Sequence, residues 1–188
     1  MDTYEIAIWI WNGVEELDFA GPYEVLTAWG RQSERDITVR TVAATAEPVT
    51  CSHGLRVIPD LALESLGRID LFLHPGGRTD LLLRDAAWLQ RVRDLRESTP
   101  LMTSVCNGAV IYASAGLLEG RPAATHWGSV PALKELGIAV EEDARFVDDG
   151  DVVTSAGVSA GIDMALHLVA RLESDDMAAW VRRYIQYD

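Results

Sequence analysis

The sequence predicts an α/β protein: one doubly wound, mainly parallel sheet sandwiched by helices, flavodoxin-like in arrangement. Three observations carry this. Ile6 to Trp11 is apolar at every position, which suits a parallel strand buried on both faces rather than a half-exposed one. Strand and helix patterns alternate from the first residues to the last, the signature of a parallel sheet with helices between its strands. His74-Pro75-Gly76-Gly77 and Cys106 both fall at the ends of expected strands, the edge where such sheets hold their ligands.

In order along the chain, Asn12-Gly13 ends the first strand and a helix is expected from Pro22 to Arg31, since proline is tolerated in a first helical turn. Ile37 to Ala44 alternates like a strand, and Pro48 to Pro59, with Gly54 at its centre, reads as a hairpin. Asp70 to His74 is a core strand. Asp80 to Ser98 spaces Leu82, Leu89, Val92 and Leu95 between charges, as one amphipathic helix does. Pro100 to Val105 is a strand and Gly108 to Ala115 a small-residue helix stopped at Gly116. A short strand near Ala123 to His126 and a helix near Val130 to Leu136, ended by Gly137, come next. The turn Asp149-Gly150 joins two strands, and Ile162 to Leu172 and Met177 to Gln186 are helical. No repeat or linker interrupts the pattern, so residues 1–188 are expected to form a single domain.

Composition narrows the function. Hydrophobic residues at 48% and charged residues at 24% are ordinary for a globular domain. A formal charge of −13 with dispersed arginines argues against a nucleic-acid surface. No apolar run reaches the roughly 18–20 residues of a membrane span, and the N-terminus has no basic n-region and no small-residue cleavage site, so no secretion signal is expected. A cytoplasmic protein acting on a small molecule is the expectation. The two cysteines, Cys51 and Cys106, form neither a disulfide framework nor a zinc motif. Cys51 reads as a small buried hydrophobe.

Cys106 reads differently. It stands at a turn from strand to helix, within Val105-Cys106-Asn107-Gly108-Ala109. A tight turn exposes such a side chain in the manner of a nucleophile elbow. A helix N-terminus stabilises the thiolate and lowers its pKa, and free N–H groups there can receive an anion. Strand-to-helix cysteines can also be inert, and on the residues alone both roles stand.

Leu73-His74-Pro75-Gly76-Gly77, Ser104-Val105-Cys106-Asn107-Gly108-Ala109, Ala115-Gly116-Leu117-Leu118-Glu119-Gly120-Arg121 and Ala124-Thr125-His126-Trp127 resemble, in order and spacing, the ThiJ/PfpI superfamily. Within it, Leu17-Asp18-Phe19-Ala20-Gly21-Pro22-Tyr23-Glu24-Val25-Leu26 and Ser159-Ala160-Gly161-Ile162-Asp163 are similar to the isocyanide (isonitrile) hydratase branch. The resemblance implies a lyase that hydrates isocyanides to N-substituted formamides, with Cys106 as nucleophile and Asp18 as its acid/base partner. By itself Asp18 also reads as a helix N-cap. The same resemblance implies that main-chain amides of Gly77 and Asn107, beside Gly76, cradle developing charge. It implies no cofactor and no metal, and a homodimer. Asn107 departs from the branch, which usually has threonine there, and His74 stands where an aliphatic residue is common. His74, His126 and Ser159 are expected to support the site from behind. Glyoxalase-like or hydrolase chemistry with the same cysteine is one alternative. The other is a sensor module akin to the N-terminal half of AraC-type regulators.

Gly157-Val158-Ser159-Ala160-Gly161 matches the serine-hydrolase elbow by letter only. Asp163 and His167, at i and i+4 on one helix, cannot orient each other against a serine at its start. His126 as a base would imply a Cys-His pair of the glutamine amidotransferase kind, but the His-Pro-Glu segment of those enzymes is missing.

Overall fold

The computed structural model describes residues 3–188. Its central sheet has seven strands in the order β10-β11-β7-β6-β1-β2-β5. These are β1 (Tyr4–Trp9), β2 (Ile37–Ala43), β5 (Leu61–Ala62), β6 (Leu71–His74), β7 (Leu101–Val105), β10 (Phe146–Asp148) and β11 (Val152–Ser155). All neighbours pair in parallel except β10 and β11, which form the hairpin expected around Asp149-Gly150. The middle strands are those without polar alternation: Leu71 to His74 and Leu101 to Val105 are buried at every position. They need helices on both faces to stay dry.

The helices fall into two contacting groups. α1 (Glu16–Gln32) packs on α6 (Ala160–Leu172) and α7 (Asp175–Tyr184). α2 (Asp80–Arg84), α3 (Ala86–Ser98) and α4 (Gly108–Ser114) pack on one another, and α5 (Val130–Glu135) follows against α4. Two small sheets lie outside the main one: the hairpin β3 (Val49–Thr50) with β4 (Arg56–Val57), as expected, and β8 (Pro122–Ala123) parallel to β9 (Ala139–Val140).

Three elements differ from the sequence expectation. α1 begins at Glu16, six residues before Pro22, which lies inside it. Proline there removes the N–H that would bond the Asp18 carbonyl; the helix continues because this stretch is buried against α6. At the contact, a Cβ on Gly21 would lie 2.8 Å from Ile162, and one on Gly161 would lie 3.1 Å from Pro22 and from Val105. The expected helix Asp80–Ser98 is two helices, because Asp85 accepts the N–H groups of Ala87 and Trp88 and starts a new one. The strand expected near Ala123–His126 ends at Ala123, and His126 instead caps the short 3-10 turn Trp127–Ser129.

Candidate active site

Cys106 follows the last residue of β7, and its backbone takes a left-handed conformation, φ +59°. Non-glycine residues held there cost about 1–3 kcal/mol, a strain that surrounding structure must over-determine. The restraints are visible. The Cys106 N–H is shared between the carbonyls of Ser155 (3.2 Å) and Ala156 (3.3 Å) at the end of β11. Its carbonyl accepts the Thr125 hydroxyl at 2.8 Å. Thr125 is buried and precedes His126; it belongs to the Ala124–Trp127 motif, though no role was expected of it.

Asp18 is the third residue of α1 and fully buried. It is not the cap. Glu15 holds that position, while the Asp18 Oδ2 accepts the Gly76 N–H at 2.9 Å. Oδ1 has no partner among the described residues, and the carboxyl lies beside Cys106, both side chains bordering Gly76. Burial pushes the Asp18 pKa up to about 7, against the Gly76 N–H, which lowers it; the charge of Glu15 raises it further.

The thiol does not follow the expectation of a lowered pKa. Burial first, and then the negative charge of Asp18, push it upward, against the Asn107 N–H, which favours the thiolate. Cys106 is 8% exposed, so desolvation outweighs the start of a helix only seven residues long. Asp18 therefore ionises first, and its charge opposes ionisation of the thiol.

Gly76 stands among all three groups. A Cβ there would collide with Asn107 Oδ1, and would lie 2.7 Å from Asp18 Oδ2 and 2.8 Å from Cys106 Cβ. Glycine is the residue that fits. The Gly77 N–H, expected to receive developing charge, is instead donated to Asn107 Oδ1 at 2.8 Å. The Gly76 N–H is on Asp18, and the Asn107 side-chain amide is spent on the Gly77 carbonyl (2.9 Å) and the Thr79 hydroxyl (3.2 Å). Of the expected anion cradle, the Asn107 main-chain N–H remains, and it favours the Cys106 thiolate.

The three supporting residues lie elsewhere. His74 is fully buried beneath Trp11, Trp88 and Tyr112. Its Nδ1 is 2.7 Å from the Pro75 carbonyl, and its Nε2 is 3.2 Å from Trp88 Nε1. The indole can only donate, which fixes the proton on Nδ1. Burial holds its pKa down at about 4, so it is a neutral core residue. His126 packs on Gly157, and its Nδ1 accepts the Gly128 N–H at 3.1 Å. Ser159 Oγ accepts from Arg145 at 3.1 Å. Among the described residues none of the three hydrogen-bonds to Cys106 or Asp18. Asp163 pairs with Arg145 and His167 with Asp148, so the serine-elbow reading finds no triad.

Cys51 is buried and free, its pKa raised by burial and by Glu16. Nearby, Glu15, Glu16 and His53 bring potential metal-ligand atoms within 4.8 Å of one another. The group is an ion pair at the start of α1, with His53 Nδ1 2.9 Å from Glu16 and 3.4 Å from Glu15. Helix dipole and carboxylates together account for it. Among the described residues no helix is long and apolar enough to cross a membrane.

A cysteine on a strained strand-to-helix elbow, facing a buried acid from the first helix of a parallel sheet, defines a class of α/β cysteine proteins. The DJ-1/PfpI family model matches residues 4–171, and the chain belongs to that family. It is 35% identical over 184 residues to the isonitrile hydratase of Pseudomonas putida, covering 97% of this chain and 78% of that one. It is 34% identical over 142 residues to the HTH-type transcriptional regulator CdhR of Pseudomonas aeruginosa, covering 74% of this chain but 42% of the regulator. The crystal structure of a ThiJ/PfpI family protein from Pseudomonas syringae superposes with a TM-score of 0.90 at 31% identity, covering all of this chain and 76% of that one.

Proposed function

We propose that this protein hydrates isocyanides to N-substituted formamides, with Cys106 as nucleophile and Asp18 as the proton carrier. The observation that carries the reading is the pairing of a buried thiol with a raised-pKa carboxyl where the Gly76 and Gly77 amide donors are already occupied. Acyl transfer and amide hydrolysis put negative charge on an oxygen and need free donors aimed at it. Attack on an isocyanide puts the electron pair on the terminal carbon itself. That carbon needs an acid beside the sulfur, which is where Asp18 lies.

The steps balance. With one proton between them, Cys106 holds it as the resting thiol, and Asp18 takes it to form the thiolate as sulfur attacks. Sulfur bonds the terminal carbon, and that carbon takes the Asp18 proton, giving a thioimidate. Water adds to the same carbon as Asp18 removes a proton, and Asp18 passes it to the nitrogen. The hydroxyl proton then returns to Asp18 as the C=O forms and the C–S bond breaks, releasing formamide and thiolate. Both hydrogens gained by the isocyanide come from water. The Gly76 N–H on Oδ2 favours the transferable proton on Oδ1, the oxygen without a partner.

The similarity to the P. putida isonitrile hydratase supports this reading. A homodimer in the cytoplasm acting on a small molecule accompanies it. The rival, a ligand-sensing module, is supported by the similarity to CdhR. Purified protein is to be assayed against a panel of isocyanides and 2-oxoaldehydes. The expected result is isocyanide consumption abolished by Cys106→Ala and lowered by about 10²–10⁴ in Asp18→Asn. No turnover of any isocyanide by the wild type would overturn the reading, and turnover of 2-oxoaldehydes alone would replace it.

A further inference from the structure

The side chain of Asn107 closes a small hydrogen-bonded ring with a single residue across the elbow. Its Oδ1 accepts the Gly77 N–H at 2.8 Å while its Nδ2 donates to the Gly77 carbonyl at 2.9 Å. The same Nδ2 reaches Thr79 Oγ1 at 3.2 Å, and the Thr79 N–H donates back to the Gly77 carbonyl at 2.9 Å. Thr79 is buried. A planar amide with two donors and an acceptor makes all three side-chain bonds at once; a hydroxyl offers one donor and cannot. From the other side, the Gly76 carbonyl accepts the Glu15 N–H at 3.0 Å, and Val14 forms a bridge with Gly77. The Gly76-Gly77 segment is therefore gripped between the residue after the nucleophile and the residues leading into α1. Its orientation decides where the Gly76 N–H points, and that N–H lies 2.9 Å from Asp18 Oδ2.

We propose that Asn107 and Thr79 are positioning residues: by tying down Gly77 they keep the Gly76 N–H on Asp18 and so fix the carboxyl against Cys106. Calling Asp18 the proton donor rests on the function proposed above; the tie itself does not. Asn107 on this account holds the loop that holds the acid. The groups whose charge or hydrogen bonds bear on the Asp18 carboxyl are Glu15, at the start of its own helix, Cys106, from the elbow, and the Gly76 N–H. Only the last is disturbed when the tie is cut. A hydrogen bond to the ionised form lowers an acid's pKa, so its loss must raise it.

The test is a carbon-13 NMR titration of the Asp18 carboxyl in the full chain, assigned with Asp18→Asn, alongside isocyanide kinetics. Asn107→Ala and Thr79→Val are expected to move the Asp18 midpoint above the wild-type value, whereas Thr79→Ser, which keeps the hydroxyl, holds it. kcat is expected to fall on the order of 10-fold or more in the first two, with KM little changed. An Asp18 midpoint unchanged in folded Asn107→Ala would overturn the proposal. Should that variant fail to fold, equal midpoints in Thr79→Val and Thr79→Ser would overturn it instead. A wild type inert toward isocyanides refutes the proposed reaction, while the titration still decides the tie.

Discussion

At the scale of single residues, Asp18 acts on Cys106 in two opposed ways. Its negative charge raises the thiol pKa, yet its proton is what the reaction consumes. Asp18→Asn therefore separates the two. Turnover is expected to collapse, while alkylation of Cys106 by iodoacetamide at a given pH above neutrality is expected to quicken, because the opposing charge is gone. Peptide mapping separates labelling of Cys106 from that of Cys51. Slower alkylation in a folded Asp18→Asn protein would contradict the electrostatic account. Cys106 itself was legible from its place between strand and helix, but the residues alone left Asp18 as a cap; resemblance supplied the acid. The roles of Asn107 and Thr79 were not legible. Their partners lie 28 to 30 residues away in sequence, and no local pattern says which loop will face which turn.

Among the elements, the crossing of α1 with α6 sets the distance between acid and thiol. Asp18 and Pro22 share α1, Gly161 is the second residue of α6, and Val105 ends β7 immediately before Cys106. Gly161→Ala would put a methyl 3.1 Å from Pro22 Cγ and from both Val105 methyls. These are a ring and a β-branched side chain in a filled core, with little room to yield. The expected cost is about 1–3 kcal/mol of stability from overpacking, read from the urea midpoint, with a loss of turnover. Gly67→Ala, at an open position with nothing within 4 Å, is the control and is expected to be nearly neutral. An equally neutral Gly161→Ala would remove the crossing from the account. This contact also explains why the start of α1 was misplaced by six residues. Proline is read as a helix start because that is its intrinsic preference, and here tertiary burial overrides it. The strands were easier, since an uninterrupted apolar run depends on nothing distant.

Over the whole molecule, two buried ionisable groups oppose each other in their effect on stability. Asp18, with a folded pKa of about 7 against an ordinary value of 3.8, holds a proton that the unfolded chain has already released between those limits. Its contribution is greatest at low pH and is lost as pH rises through that window. His74 is the reverse case. Its folded pKa is about 4 against an ordinary 6.5, so between them the unfolded chain binds a proton that the folded one refuses. That stability is present above pH 6.5 and is lost as pH falls toward 4. Between pH 4 and 6.5 the two slopes have opposite signs and similar size, about 1.4 kcal/mol per pH unit each. The wild type is therefore expected to show little net pH dependence from this pair across that interval. Asp18→Asn removes one slope and exposes the other, so the variant is expected to gain stability as pH rises from 4 to 6.5. Its advantage over the wild type should grow by about 4 kcal/mol between pH 4 and pH 8. Urea unfolding of both proteins at half-unit pH steps measures this, and a constant difference between them would show that the buried carboxyl titrates as it does in water.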